Sequence, residues 1–184
     1  MSEVIRIFVE KRDGFNVLAK QTLWDIRHNL GMKSVEDLRY IVRYDLEGLT
    51  KEEYDKAKTI VLSEPNADVI YEETLPVEDG WKVFAMEYLP GQYDQRADSA
   101  VQCVQFLDGD ASPIIRSATT YVIEGKVTEE EFEAIKHHCI NPVDSRETGL
   151  EKPETLVTVF PEPEDVKIFE GFKDMAEADL KALY

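Results

Sequence analysis

Basic residues, cysteine, histidine and long apolar runs are all scarce in this 184-residue chain. Only 21 lysines and arginines stand against 38 aspartates and glutamates, for a net charge of −17. Such a surface repels phosphate backbones and anionic lipid, which argues against nucleic-acid and membrane partners. No stretch reaches the roughly 18 consecutive apolar residues that a membrane helix needs. The opening MSEVIRIFVEK has neither a basic segment nor a long apolar run, so it does not read as a signal peptide. A cytoplasmic location is expected. The two cysteines, Cys103 and Cys139, fit no C-x-x-C pattern. Their place in helix-patterned segments predicts two buried, reduced thiols rather than a disulfide.

Motifs for several chemistries are missing too. There is no G-x-G-x-x-G, no G-x-x-x-x-G-K and no G-x-S-x-G, the glycine-dependent turns that cradle phosphates or expose a nucleophilic serine. Among the three histidines, His137 and His138 precede Cys139. Adjacent helical positions point about 100° apart, so these three side chains do not converge on one tetrahedral ion. Glu129-Glu130-Glu131 and Glu72-Glu73 fit solvated element edges better than metal carboxylates. Phe8, Trp24, Trp81 and Phe84 are expected in the core.

What the chain does have is an internal repeat. Tyr44-Asp45-Leu46-Glu47-Gly48 matches Tyr121-Val122-Ile123-Glu124-Gly125 at an offset of 77 (121 − 44 = 77). Gly14 with Gly91, Arg39 with Arg116 and Pro65 with Pro142 keep the same offset. Each half reads strand, helix, strand, helix, strand. Ile5, Ile7 and Val9 alternate with Arg6 and Phe8, as in a strand with one buried face. Its counterpart is Val83-Phe84-Ala85-Met86. Ala19, Leu23, Ile26 and Leu30 make the apolar stripe of one helix; Ala97 or Ala100, Val104 and Leu107 make that of the other. Second strands follow at about 38–46 and 114–123. Thr50-Lys51-Glu52-Glu53 and Thr128-Glu129-Glu130-Glu131 match the T-x-x-E capping box and open two further helices. Last strands are predicted at 68–75 and at 155–160.

The expected fold is α+β: two tandem β-α-β-α-β repeats, residues 1–76 and 77–160, packed as a pseudo-twofold pair with helices on one side of mostly antiparallel sheets. Residues 161–184 read as a linker and the start of a helix that breaks off at Tyr184, as in a truncated chain.

One surface stands apart. In LPGQYDQRADSA, residues 89–100, Pro-Gly makes a turn and Asp94 suits a helix cap. Ser99, Gln102 and Gln105, with Asp98, occupy the face opposite the apolar stripe. The other helices present Glu and Lys outward, so this uncharged polar face suggests a wet protein contact. A purely structural turn and cap explains the same residues. Asn141-Pro142-Val143-Asp144-Ser145-Arg146-Glu147 has the same ambiguity: a helix stop, or a second contact.

The runs EYLPGQYDQRADSAVQCVQ, INPVDSRETGLEKPETL and RYDLEGLTKEEYDKAK resemble the N-terminal region of long-type phosphoribosylformylglycinamidine synthase, over essentially the whole chain. That family converts an amide to an amidine in purine biosynthesis, using ATP and glutamine-derived ammonia. Its N-terminal region resembles a fused dimer of PurS, the small accessory subunit of the split enzyme. The resemblance implies a non-catalytic accessory role, bridging the synthase and glutaminase domains, which would be the partners of this segment. It places ATP, magnesium and the glutaminase cysteine outside these residues, so neither catalytic residue nor cofactor is expected here. The contact residues it suggests are Gln92, Tyr93, Asp94, Gln95, Arg96, Asp98 and Ser99, with Asn141, Asp144, Ser145 and Arg146. Two alternatives stay open: a free-standing PurS-like scaffold subunit, and a small metabolite-binding protein.

Overall fold

A computed structural model describes residues 3–159, 162, 163, 165, 166, 168 and 171–183. Strands β1 (Ile5–Lys11), β2 (Val35–Glu47), β3 (Asp68–Glu72), β4 (Lys82–Tyr88), β5 (Ile114–Gly125) and β6 (Ser145–Thr148) form one antiparallel sheet in the order β3-β1-β2-β5-β4-β6. Helices α1 (Val17–His28), α2 (Lys51–Ile60), α3 (Gln95–Leu107) and α4 (Glu129–Cys139) all pack on one of its faces. A short 3₁₀ turn at Phe172–Asp174 and α5 (Glu177–Leu183) follow. The structure therefore has one continuous sheet where separate sheets were expected, with β2 and β5 as its long central pair, in register from Leu38–Ile123 to Glu47–Ile114.

Both capping boxes form. Thr50 accepts from the Glu53 amide and Thr128 from the Glu131 amide, while each glutamate reaches back to its threonine N–H. These pairs satisfy amides that a helix start leaves bare. Gly125 ends β5 at φ 127°, where a side chain would meet the Ser34 carbonyl.

The helical face holds two cores that interlock. Ile7, Val9, Tyr44 and Leu46 of β1 and β2 pack with α2 and with Ala97, Ala100 and Val104 of α3. Phe84, Tyr121 and Ile123 of β4 and β5 pack with α4 and with Ala19 and Ile26 of α1. Val35 and Leu38 of β2 also belong to the second core and Ile115 of β5 to the first, so each core is shared by strands of both halves. Leu107, expected in the α3 stripe, is exposed, as is Trp24, which stacks on His28 at 4.4 Å.

The opposite face is covered as well, which corrects the reading of β1 as half-buried. Arg6 and Phe8 are buried like their neighbours. Phe8, Ile41 and Val122 pack under Leu75, Val77 and Trp81 of the β3–β4 connection. Chain beyond β6 crosses the same face, tied down by arginines: Arg6 donates to the Leu150 carbonyl at 2.6 Å, Arg43 to that of Gly149 at 2.9 Å and Arg116 to that of Leu156 at 2.7 Å. Arg39 holds the β3–β4 connection likewise through the Pro76 carbonyl at 2.7 Å.

Two strand expectations need correction. β3 stops at Glu72, because Glu73 takes a left-handed φ of 62°. The last strand is Ser145–Thr148, not 155–160. Thr155 and Leu156 instead donate to the Glu47 carboxylate, and the Leu156 carbonyl takes Arg116, so side chains satisfy backbone that a strand would have paired. Phe160, Pro161 and Tyr184 lie outside the described residues.

Candidate functional site

The turn Leu89–Gln92 closes through the Gln92 amide on the Leu89 carbonyl at 2.9 Å, with Gly91 at φ 91°. It delivers Asp94 to the N-cap of α3. One Asp94 oxygen accepts from the Ala97 amide at 2.9 Å, and the carboxylate also takes the Ser117 hydroxyl at 2.9 Å and the Ser117 amide at 3.2 Å. A single side chain thus caps α3 and pins its start to β5.

Arg96 leaves the first turn of α3 over the centre of the sheet. Its guanidinium reaches the Tyr44 hydroxyl at 3.5 Å and makes no ion pair among the described residues. Two clefts meet there. One, of about 460 Å³, is polar: Tyr40, Tyr44, Gln95, Ser99, Ser117 and Thr119 are among its lining residues. The other, of about 420 Å³, shares Tyr40, Tyr44 and Arg96 but is walled by the exposed side chains of Phe15, Val17, Leu18 and Ile60.

Asp98, also in the first turn of α3, accepts from the Tyr93 hydroxyl at 2.7 Å and from the Gln102 amide at 2.6 Å. The donated hydrogen bond raises the Tyr93 pKa. Gln92, Tyr93, Gln95, Arg96 and Ser99 are exposed; Asp94 and Asp98 are partly covered.

The second candidate segment is brought to the same place. The Leu89 amide donates to the Asp144 carbonyl at 2.9 Å, and Tyr88 and Glu87 pair in register with Ser145 and Arg146. Asn141 and Arg146 are exposed and Asp144 partly so. Ser145 is buried, its hydroxyl donating to the Asn141 carbonyl at 2.9 Å to close the turn. Arg146 engages Glu87 through Nε and Nη2 at 2.9 and 2.7 Å.

Chemically, this surface offers hydrogen bonds and two arginines, Arg146 paired with Glu87 and Arg96 without an ion pair among the described residues. Cys103 is exposed at the cleft rather than buried as expected, and no histidine lines the cleft. Cys139 is half-buried, and burial pushes its thiol up to about 11, which leaves little thiolate for nucleophilic chemistry. The sequence reading missed the cleft floor, Tyr40, Tyr44, Ser117 and Thr119. Alternate positions on β2 and β5 carried that signal, since 40, 42 and 44 on one strand face 121, 119 and 117 on the other.

Comparison of the chain with protein-family models and with curated proteins gives no match.

Proposed function

We propose that the chain is a tandem pair of PurS-like units, serving as the non-catalytic accessory region of phosphoribosylformylglycinamidine synthase and bridging its synthase and glutaminase parts. The observation that carries this reading is the β2–β5 register. Val42 faces Thr119, its own counterpart in the repeat (119 − 42 = 77), while Tyr40 faces Tyr121 and Tyr44 faces Ser117. Each strand so meets its repeat partner about one central point, as in the isologous interface of a symmetric dimer. Strand order agrees: outward from the central pair, each half runs second strand, first strand, third strand.

The role follows from the surface. The resemblance to the synthase family places ATP, magnesium and glutaminase chemistry in other domains. The Gln92–Ser99 segment and the Asn141–Arg146 turn form one polar margin around Arg96, in which Asp94, Asp98 and Asp144 nearly balance Arg96 and Arg146 although the chain as a whole is strongly acidic.

The test is to mix the 184-residue chain with separately produced synthase and glutaminase polypeptides that lack this region. Co-elution on size exclusion and a gain in glutamine-dependent amidine formation are expected. No complex and no gain would refute the assignment.

A further inference from the structure

The apolar cleft beside Arg96 is walled by Phe15, Val17 and Leu18 around the start of α1 and by Ile60 at the end of α2. All four side chains are more than half exposed. Single apolar side chains are common on a protein surface, but four around one cleft mark a contact site.

The repeat supplies an internal comparison. By their buried residues, the helices of the two halves align at an offset of 78: Ala19 with Ala97 (97 − 19 = 78), Ile26 with Val104 and Tyr54 with Phe132. At that offset Val17, Leu18 and Ile60 correspond to Gln95, Arg96 and His138, all of them exposed. Phe15 corresponds to Tyr93, whose hydroxyl is held by Asp98. The second half thus folds the same way with polar groups at these places. Folding does not call for apolar ones in the first half.

The charges at the cleft narrow the kind of partner. Glu64 and Asp68 both lie on Lys11 Nζ at 3.0 Å, and Asp13 takes Lys20 at 2.9 Å. Asp94 is occupied by the Ala97 amide and by Ser117. Arg96, and Arg12 on the turn that carries Phe15, have no ion pair among the described residues, and both are exposed. Acids and bases are equal in number here, on a chain of net charge −17. An acidic partner therefore meets little repulsion, and the groups still open to it are two solvent-facing guanidiniums.

We propose that this cleft docks one of the two protein partners through a segment that sets a bulky apolar side chain beside a carboxylate. The apolar group packs against Phe15, Val17, Leu18 and Ile60, and the carboxylate accepts from Arg96. This docking rests on the accessory role and divides it: equivalent margins of the two halves serve different contacts, apolar in the first half and polar in the second. An apolar contact suits the partner that is held permanently.

The test titrates the synthase and glutaminase polypeptides, each lacking this region, against the 184-residue chain and its variants by calorimetry. Leu18→Ser and Phe15→Ser should each weaken the same one of the two complexes by roughly tenfold or more and leave the other unchanged. Leu150→Ser, at a side chain that is also half exposed but on the other face of the sheet, should change neither. Added salt should weaken the affected complex. Arg96→Gln should flatten that dependence and Leu18→Ser should keep it. The docking alone is overturned if both complexes form but ignore Leu18→Ser, weaken equally with it, respond as much to Leu150→Ser, or keep their full salt dependence in Arg96→Gln. A Tm that falls by more than a few degrees in Leu18→Ser overturns it too, because the apolar side chains would then serve the fold. If neither polypeptide binds the parent chain, the accessory role itself fails and the docking with it.

Discussion

Arg6 and Asp45 face each other across β1 and β2 and form a bidentate ion pair with both side chains less than a tenth exposed. Removing the carboxylate leaves two guanidiniums, those of Arg6 and Arg43, buried without a counter-charge. Asp45→Ala should therefore lower stability by about 3–5 kcal/mol, measured as a shift of the urea midpoint. The Arg146–Glu87 pair also uses Nε and Nη2, both on one carboxylate oxygen, but Arg146 is half exposed. Arg146→Ala should cost less than about 1 kcal/mol in the same assay. Equal losses from the two substitutions would contradict the burial assigned to Arg6 and Asp45.

Asp94 joins the start of α3 to Ser117 of β5 through side-chain hydrogen bonds. Asp94→Ala should cost about 1–2 kcal/mol, and Asp94→Asn, which keeps one capping oxygen, less. Amide hydrogen exchange at Ala97 and Ser117 should accelerate together in the alanine variant. Acceleration at Ala97 alone would mean that the link to β5 contributes nothing.

Local chemistry made much of this fold legible. The T-x-x-E pairs and the Pro-Gly turn act within a few residues, and each forms as the sequence suggests. The missed strand β6 was legible in principle. Asp68 opens β3, and the repeat offset places its counterpart at Ser145, where β6 begins (145 − 68 = 77). The alternating TLVTVF run drew attention instead. Its partners, Glu47 and Arg116, lie more than 35 residues away in sequence, and no local pattern reveals them. Leu107, the last residue of α3, fails for a related reason: spacing says which residues share a helix face, not whether another element covers them. The Arg6–Asp45–Arg43 cluster was hidden because charged residues on alternate strand positions read as solvent-facing until chain from elsewhere covers them.

Glycine substitutions should rank by what surrounds them. Gly91 and Gly125 both have positive φ, but only Gly125 is crowded: a methyl group there would press on the Ser34 carbonyl and sit 2.9 Å from the Glu36 amide. Gly91→Ala carries the conformational cost alone, about 1–2 kcal/mol. Gly125→Ala must also push β2 away from β5 where the central pair ends, so it should lose clearly more. Chemical denaturation of both variants gives the comparison, and a reversed order would contradict the close approach of Ser34 to Gly125.

The acid limb of stability has an identifiable contributor in Glu131. Its carboxylate is held below the usual range by the Thr128 amide first, then by the Ser34 hydroxyl. A carboxyl group whose pKa is depressed by folding stabilises the protein above its unfolded value of about 4.3, and that contribution fades as pH falls through the folded value. Glu53, lowered chiefly by its hydrogen bond with Thr50, acts with the same sign. Urea midpoints measured from pH 7 to pH 3 should fall less steeply in Glu131→Gln than in the parent chain. A parallel fall would show that the capping carboxylate keeps an ordinary pKa in the folded state.

Arg96 separates a structural from a contact role. It is exposed, among the described residues its side chain has only the 3.5 Å reach to Tyr44, and the cap of α3 belongs to Asp94. Folding therefore depends little on it, and Arg96→Ala should keep the melting temperature of the 184-residue chain within a few degrees, the usual scale of a surface substitution. A guanidinium without a carboxylate, set between a polar and an apolar cleft, is well placed to accept one from a docking surface, where buried arginines commonly dominate binding. Complex formation with the synthase and glutaminase polypeptides should then weaken by at least tenfold in Arg96→Ala, and more than in Gln102→Ala at the edge of the same helix face. A variant that binds normally but melts much lower would make Arg96 a structural residue and move the contact elsewhere on the sheet.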